Sequence, residues 1–233
     1  MKLVYIASPL RADTEGEMVQ NRKNAEDYSR QAMNIGTFVG ELIVPISPIS
    51  NLQFIDENNP EERQKALNMG LALLSKCDEL WVAGDRVSEG MIGELRAAVR
   101  MDIPVLSMGM ESEKIQAAIG ELPPMLTGKN CITGSNDANY KGKLLILKPD
   151  ALAEWSREPE SQLWICTHGN GARLGAHGRS VFVENLMDGE KGRWDRHNFY
   201  GVADPEKLPV WAVERLNSQQ REEENNYEME EEI

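Results

Sequence analysis

The sequence predicts an α/β protein: a parallel sheet with helices on both faces, followed by a smaller α+β or β-rich module. Three features carry that expectation. Short apolar runs alternate with longer stretches of helical periodicity between residues 3 and 106, the pattern of strands separated by helices. The links between these stretches are short, so consecutive strands are expected to lie parallel. After Met108-Gly109-Met110 the texture changes, and residues 129–141 are rich in Asn, Gly, Ser and Thr, as expected where one module gives way to another.

Leu3 to Ala7 is a mostly apolar run stopped at Ser8-Pro9, as a central parallel strand that cannot continue through proline. Thr14 to Ile35 carries Met18, Ala25, Tyr28, Ala32 and Ile35 at helical spacings, with Asp13 or Thr14 as cap and Gly36 as the stop. Leu42 to Ile46 supplies a second strand, with Pro45 and Pro48 bracketing its exit. Asn51 to Asn59 is polar and irregular, and Pro60-Glu61-Glu62 then places proline and two acids where a helix dipole favours them. That helix runs through Leu67, Leu71 and Leu74 to Cys77, and Leu80 to Ala83 is the strand that follows. Gly90 to Met101 is the next helix, with Ile92, Leu95, Ala98 and Val99 on one face, and Ile103 to Leu106 is the fourth strand. The order βαβαβαβ defines a Rossmann/flavodoxin-like sheet.

In the second half, Lys143 to Leu147, Gln162 to Cys166 and Arg179 to Glu184 are expected strands. Thr167 to Gly178 holds four glycines and is expected to be a loop. Trp211 to Leu216 is a closing helical turn behind Pro209. The expected division is a domain over 1–118, a linker over 119–142, a module over 143–216 and an acidic, disordered tail over 217–233.

The chain has 233 residues and a formal net charge of −13. Asn217 to Ile233 holds seven Glu and one Arg, net −6, which leaves −13 − (−6) = −7 on the remainder. An acidic body repels phosphate backbones at long range, which argues against binding a nucleic-acid duplex. A small phosphorylated ligand remains compatible, because a local nest of N–H groups outweighs net charge at short range. Three scattered cysteines, at 77, 131 and 166, form no disulfide framework and fit a reducing cytoplasm. With no charged-then-apolar leader and no apolar run of spanning length, the expectation is a cytoplasmic protein without a membrane partner.

Chemistry concentrates in Cys77 to Glu94, which is expected to form a buried strand, a polar turn and the start of a helix. Ligands in open α/β sheets bind outside the carboxyl ends of strands, where helix N-termini present free N–H groups. Ser88, Gly90 and Met91 are therefore expected around a ligand, with Glu94 one helical turn later. Each also has a plain structural role: serine caps helices, and glutamate is common in first turns. Arg11 fits either a surface ion pair or a phosphate clamp, since a planar guanidinium binds phosphate oxygens bidentately. Tyr5 points into the sheet by strand parity, with its hydroxyl within reach of the same place. Cys166, His168, His177 and His197 gather in the glycine-rich region, but without paired ligand spacing, and no metal is expected.

The spacing Ser88-x-Gly90-x-x-x-Glu94, behind a strand ending in Gly84-Asp85, resembles the nucleoside 2-deoxyribosyltransferase superfamily. So does Leu3-Val4-Tyr5-Ile6-Ala7-Ser8-Pro9 at the start of the chain. The wording around Trp81 and Ser88 is most similar to an uncharacterised offshoot common in phages and mobile elements. The resemblance spans about residues 1–110 and implies an N-glycosidic bond cleaved by attack of Glu94 on the anomeric carbon. It also implies a 5′-phosphate held by Ser8, Arg11, Ser88 and the Gly90 backbone, with Pro9 in the turn under the ligand, no cofactor, and a homodimer or larger assembly. One departure stands out. The family's acid lies eight residues before the position of Asp78, which here is Gly70. Either Asp85 or Asp56 supplies the proton instead, or the chain is a noncatalytic nucleotide sensor or sponge.

Overall fold

The computed structural model describes the backbone of residues 1–231 and the side chains of all of these except 135, 220 and 222–231. The chain divides into two compact units, Met1–Leu122 with Glu154–Ser156, and Pro123–Ala153 with Arg157–Ile233.

The first unit is a four-stranded parallel sheet with helices on both faces. Strands β1 (Lys2–Ala7), β2 (Ile43–Ile46), β3 (Glu79–Val82) and β4 (Val105–Ser107) lie in the order β2-β1-β3-β4. The chain leaves β1 toward one edge and returns beyond it as β3, so the switch point of the sheet lies between these two strands, where such folds bind ligands. Strand parity assigns the faces. Val4, Ile6, Ile43, Trp81 and Ala83 pack on one side with Ala32 of α1 (Glu15–Val39). Tyr5, Ala7, Leu80 and Val82 pack on the other, against α3 (Pro60–Leu74), α4 (Glu89–Arg100) and α5 (Ser112–Ile119). A short α2 (Pro48–Asn51) precedes α3. Pro45 in β2 is tolerated because that strand is at the edge of the sheet.

Thr14 caps α1 with a full capping box, its hydroxyl accepting from the Glu17 N–H while the Glu17 carboxylate accepts from the Thr14 N–H. The helix does not stop at Gly36. It continues to Gly40, whose φ of 74° closes it in the left-handed conformation. Gly36 serves close packing instead: a Cβ there would stand 2.7 Å from the Glu41 carbonyl oxygen and 2.9 Å from Ile43 Cγ1.

The second unit is a five-stranded antiparallel sheet of β5 (Leu144–Leu147), β6 (Leu163–His168), β7 (Ser180–Asn185), β8 (Lys191–Asp195) and β9 (Phe199–Val202). Its order is β8-β7-β6-β5-β9. Two of these strands, β8 and β9, lie in a stretch for which the sequence predicts none. Residues 123–142 are part of this unit, where Cys131 bridges to Ala203. The final helix α6 is Val210–Glu231, so the helix begun at Trp211 extends along the acidic segment expected to be disordered. The local reason is composition: 217–231 is rich in Glu, with two Gln and an Arg, and contains neither Gly nor Pro. Residues 232–233 lie outside the described residues.

Two polar side chains tie this unit together. Arg196 lies 3.8 Å from the Tyr140 ring centroid and donates to the carbonyls of Gly171, Asn136 and Ala138 at 2.6–2.7 Å. The fully buried Gln162 behaves like a piece of backbone. Its Oε1 accepts from the Leu126 N–H at 2.7 Å, and its Nε2 donates to the carbonyls of Leu126 and Leu147 at 3.0 and 2.8 Å.

Gln162→Leu removes three buried partners without leaving space behind. It is expected to destabilise the protein by roughly 2–4 kcal/mol, the scale of stranding buried backbone groups of this number. Urea unfolding followed by tryptophan fluorescence measures this, and an unchanged midpoint would refute it.

Candidate functional site

At the carboxyl ends of β1, β2 and β3 the first unit opens into a cleft of about 350 Å³. Ser8 and Arg11 reach it from the loop after β1, Pro48 and Ile49 from the segment after β2, and Arg86 to Met91 from the turn after β3 and the start of α4. Ala66, Leu67 and Gly70 of α3 form an apolar wall. The volume is at the lower end of that found for small-molecule sites.

The turn after β3 is built by close packing. Gly84 has φ 101°, and a Cβ on it would stand 2.9 Å from Pro9 Cδ, so the loops after β1 and β3 touch only because residue 84 is glycine. The Arg86 guanidinium then donates to the Arg11 carbonyl at 2.5 Å, joining the same two loops again. Ser88 is the N-cap of α4: its hydroxyl oxygen accepts from the Met91 N–H at 3.4 Å, and its own N–H lies 3.5 Å from Met91 Sδ. A serine that caps in this way still has its hydroxyl proton to donate. The expected Gly90 start of the helix is one residue late, with α4 beginning at Glu89.

Glu94 lies one turn into α4 and faces the cleft. Tyr5 Oη donates to its Oε1 at 2.7 Å. Tyr5 is fully buried, and burial next to Glu94 raises its phenol well above the usual range, so it stays protonated and remains a donor. Burial pushes the Glu94 carboxyl up to about 7, partly offset by the hydrogen bond from Tyr5. The residue as a whole is only partly buried, because the cleft reaches it. Its carboxyl is thus set deep in the protein but open on one side. Gly70 stands over the pair, and a Cβ there would be 3.1 Å from Tyr5 Oη and 4.0 Å from Glu94 Oε1.

Ser8 is buried and its Oγ has no hydrogen-bond partner. A buried hydroxyl without a partner is uncommon, and one lining a cleft is placed to bind what enters it. Arg11 is exposed, and among the described residues its side chain reaches only the Glu57 carbonyl, at 3.5 Å.

The structure therefore brings Ser8, Arg11, Ser88, Gly90, Met91 and Glu94 together around one cleft, with Tyr5 behind it. Pro9 and Asp85 are not among the residues that line it: Pro9 is buried against Gly84, and Asp85 is exposed. Asp56 is spent locally, accepting from the Asn58 N–H. Three arginines that the sequence reading did not single out, Arg22, Arg63 and Arg86, line the cleft, as do Glu57 and Glu89. The signal for Arg86 was its place two residues before Ser88. Arg22 and Arg63 come from helices remote in sequence, and no local motif marks them.

In the second unit His168 stacks on Phe182 with ring centroids 4.4 Å apart, and Cys166 is buried in the sheet core. Among the described residues no group of three His, Cys, Asp or Glu is placed to hold a metal ion. No helix among them is long and apolar enough to cross a membrane.

Residues 2–117 match the family described as Domain of unknown function (DUF7768). The match spans the first unit almost entirely. Among solved structures, a 2-deoxyribosyltransferase from Bacillus psychrosaccharolyticus is similar at 21% identity and a TM-score of 0.32, over 45% of this chain and 70% of that one. That overlap is too slight to carry chemistry across. None of the curated proteins matches the chain.

The raised Glu94 carboxyl has a consequence for stability. A folded state that holds this proton more tightly than the unfolded chain loses stability as pH rises from the ordinary value of 4.5 through about 7. Glutamine imitates the protonated form. Glu94→Gln and the parent should therefore melt together at about pH 4, and the variant should melt higher at about pH 8. Scanning calorimetry at the two pH values tests this, and a difference that does not change with pH would contradict it.

Proposed function

We propose that the first unit binds a (deoxy)nucleoside 5′-phosphate and cleaves its N-glycosidic bond, with Glu94 as the nucleophile. One observation carries the reading. A carboxyl held by a buried tyrosine donor lies within a cleft that also contains a partnerless serine hydroxyl, a capped helix N-terminus and arginines. The spacing Ser88-x-Gly90-x-x-x-Glu94, with its resemblance to nucleoside 2-deoxyribosyltransferases, supports the same assignment.

In the first step a Glu94 carboxylate oxygen bonds to the anomeric carbon, the bond to the base nitrogen breaks, and the base leaves with the electron pair and takes up a proton. In the second, water attacks the anomeric carbon and releases the carboxylate, giving a sugar 5-phosphate with net retention. Tyr5 fixes one carboxylate oxygen and leaves the other to attack. Ser8, Arg11, the Ser88 hydroxyl and the N–H groups at the start of α4 hold the phosphate.

A second reading is favoured by Gly70. With no side chain at that position, the carboxylates lining the cleft besides Glu94 are Glu57 and Glu89, so protonation of the leaving base falls to one of these or to water. If neither serves, the cleft binds a nucleotide and keeps it intact, as a sensor or sponge does.

Incubation with a panel of deoxynucleotides, followed by chromatography of the supernatant and of heat-released ligand, separates the two. Free base supports cleavage, and ligand returned unchanged supports sequestration. Under the first reading Glu94→Gln abolishes base release in a folded protein, and kcat/KM of the parent falls about tenfold per pH unit below about pH 7 as the carboxyl gains its proton. Release by the variant at the parental rate would rule Glu94 out.

Ser88 sets the charge beside the phosphate. Aspartate caps helices as well as serine does, so Ser88→Asp preserves α4 while placing a negative charge by the anion. A 5′-nucleotide should bind more tightly than its nucleoside, and the substitution should narrow that gap by roughly 1–3 kcal/mol. Calorimetric titration reads both values, and equal affinity for nucleotide and nucleoside in the parent would remove the phosphate site.

A further inference from the structure

We propose that the cleft takes a nucleotide whose 5′ end carries two or more phosphoryl groups. This rests on the nucleotide reading above and extends it to the length of the phosphate chain.

Four guanidinium groups line the cleft from four separate parts of the first unit: Arg11 after β1, Arg22 on α1, Arg63 in the first turn of α3, and Arg86 after β3. Among the described residues none of the four makes an ion pair. The polar contacts of Arg11 and Arg86 are to backbone carbonyls, those of Glu57 and Arg11. Carboxylates are not scarce in this chain, which has 38 acidic residues against 25 basic ones, and Arg30 on the exposed surface of α1 pairs with both Glu26 and Asp27. Glu57 and Glu89 line the same cleft without pairing to any of the four, so besides Glu94 the guanidiniums exceed the carboxylates by two, and an anion among them offsets the excess positive charge.

Burial and the hydrogen bond from Tyr5 account for the raised Glu94 carboxyl. A single phosphate carries about two negative charges and is already provided with the partnerless Ser8 Oγ, Ser88, the start of α4 and Arg11. Arg22, Arg63 and Arg86 exceed what it needs. Each added phosphoryl group brings further charge and further oxygens for bidentate contacts, which suits planar guanidiniums on several elements.

The test is calorimetric titration of the full chain, and of Glu94→Gln to prevent turnover, with a deoxynucleoside and its 5′-mono-, di- and triphosphate for each of the four bases. The di- and triphosphate are expected to bind at least about tenfold tighter than the monophosphate, with a steeper dependence on salt. Arg22→Gln and Arg63→Gln, together and singly, are expected to bring the triphosphate to within about threefold of the monophosphate while leaving the monophosphate affinity within about threefold of the parent. Both arginines are partly exposed, so loss of fold is not expected, and thermal melts of each variant verify this. If the monophosphate binds as tightly as the longer chains, or the variants weaken all ligands alike, the inference is overturned and the nucleotide reading stands. If no nucleoside or nucleotide binds, the nucleotide reading falls and takes this inference with it.

Discussion

The hydrogen bond from Tyr5 to Glu94 is the constraint on which the rest of the first unit depends. It spans 89 residues of sequence and joins the first strand to the helix that follows the third. For it to form, Tyr5 must lie on the α3/α4 face of the sheet, which strand parity fixes once Val4 and Ile6 are committed to the α1 side. Helix α4 must also start where the Ser88 cap starts it, because a shift of one residue would rotate Glu94 about a third of a turn away from the strand. Gly70 supplies the last condition. The phenol oxygen approaches α3 closely enough that even a methyl group at position 70 would crowd it, so the absence of a side chain there is what gives Tyr5 its room.

Much of that frame was legible in the sequence, because it follows from local rules. Proline after Ala7, the acids after Pro60 and the polar turn before Ser88 each end or begin an element for a reason contained within a few residues. The positions of β1, β2, β3 and the three long helices followed from such signals, as did the grouping of Ser88, Gly90 and Glu94. Gly36 was misleading because a glycine marks two different needs, a left-handed stop or a close approach, and only the neighbouring strand tells them apart. The strand Lys191–Asp195 was not legible: Lys-Gly-Arg-Trp-Asp has no apolar alternation, and it forms because β7 offers a full ladder and Trp194 packs edge-on against Trp164. The same holds for Gln162, whose polar side chain gives no hint that it completes a backbone pairing with Leu126.

Long-range placement also explains why Arg22 and Arg63 escaped notice. Arg22 and Arg63 are ordinary helix residues in sequence, and they become neighbours only because the early parts of α1 and α3 both reach the cleft. Net charge was a poor guide for a related reason. The −13 of the whole chain is an average over a surface, and nearly half of it sits in the last seventeen residues, whereas a bound anion responds to the charges within a screening length of about 8 Å.

The surroundings of Glu94 then bear on the role proposed for it. A carboxyl surrounded by guanidiniums would be fully ionised, and strongly stabilised carboxylates are weak nucleophiles. Glu94 is instead set back, where burial outweighs the single donor from Tyr5 and brings its carboxyl to about 7. Near neutral pH such a group is divided between its two forms, and the ionised fraction keeps the basicity that the proposed attack on carbon requires. The parallel sheet sets the arrangement, because the loops after β1 and β3, and hence Arg11 and Arg86, lie beyond Tyr5, the strand residue that holds Glu94.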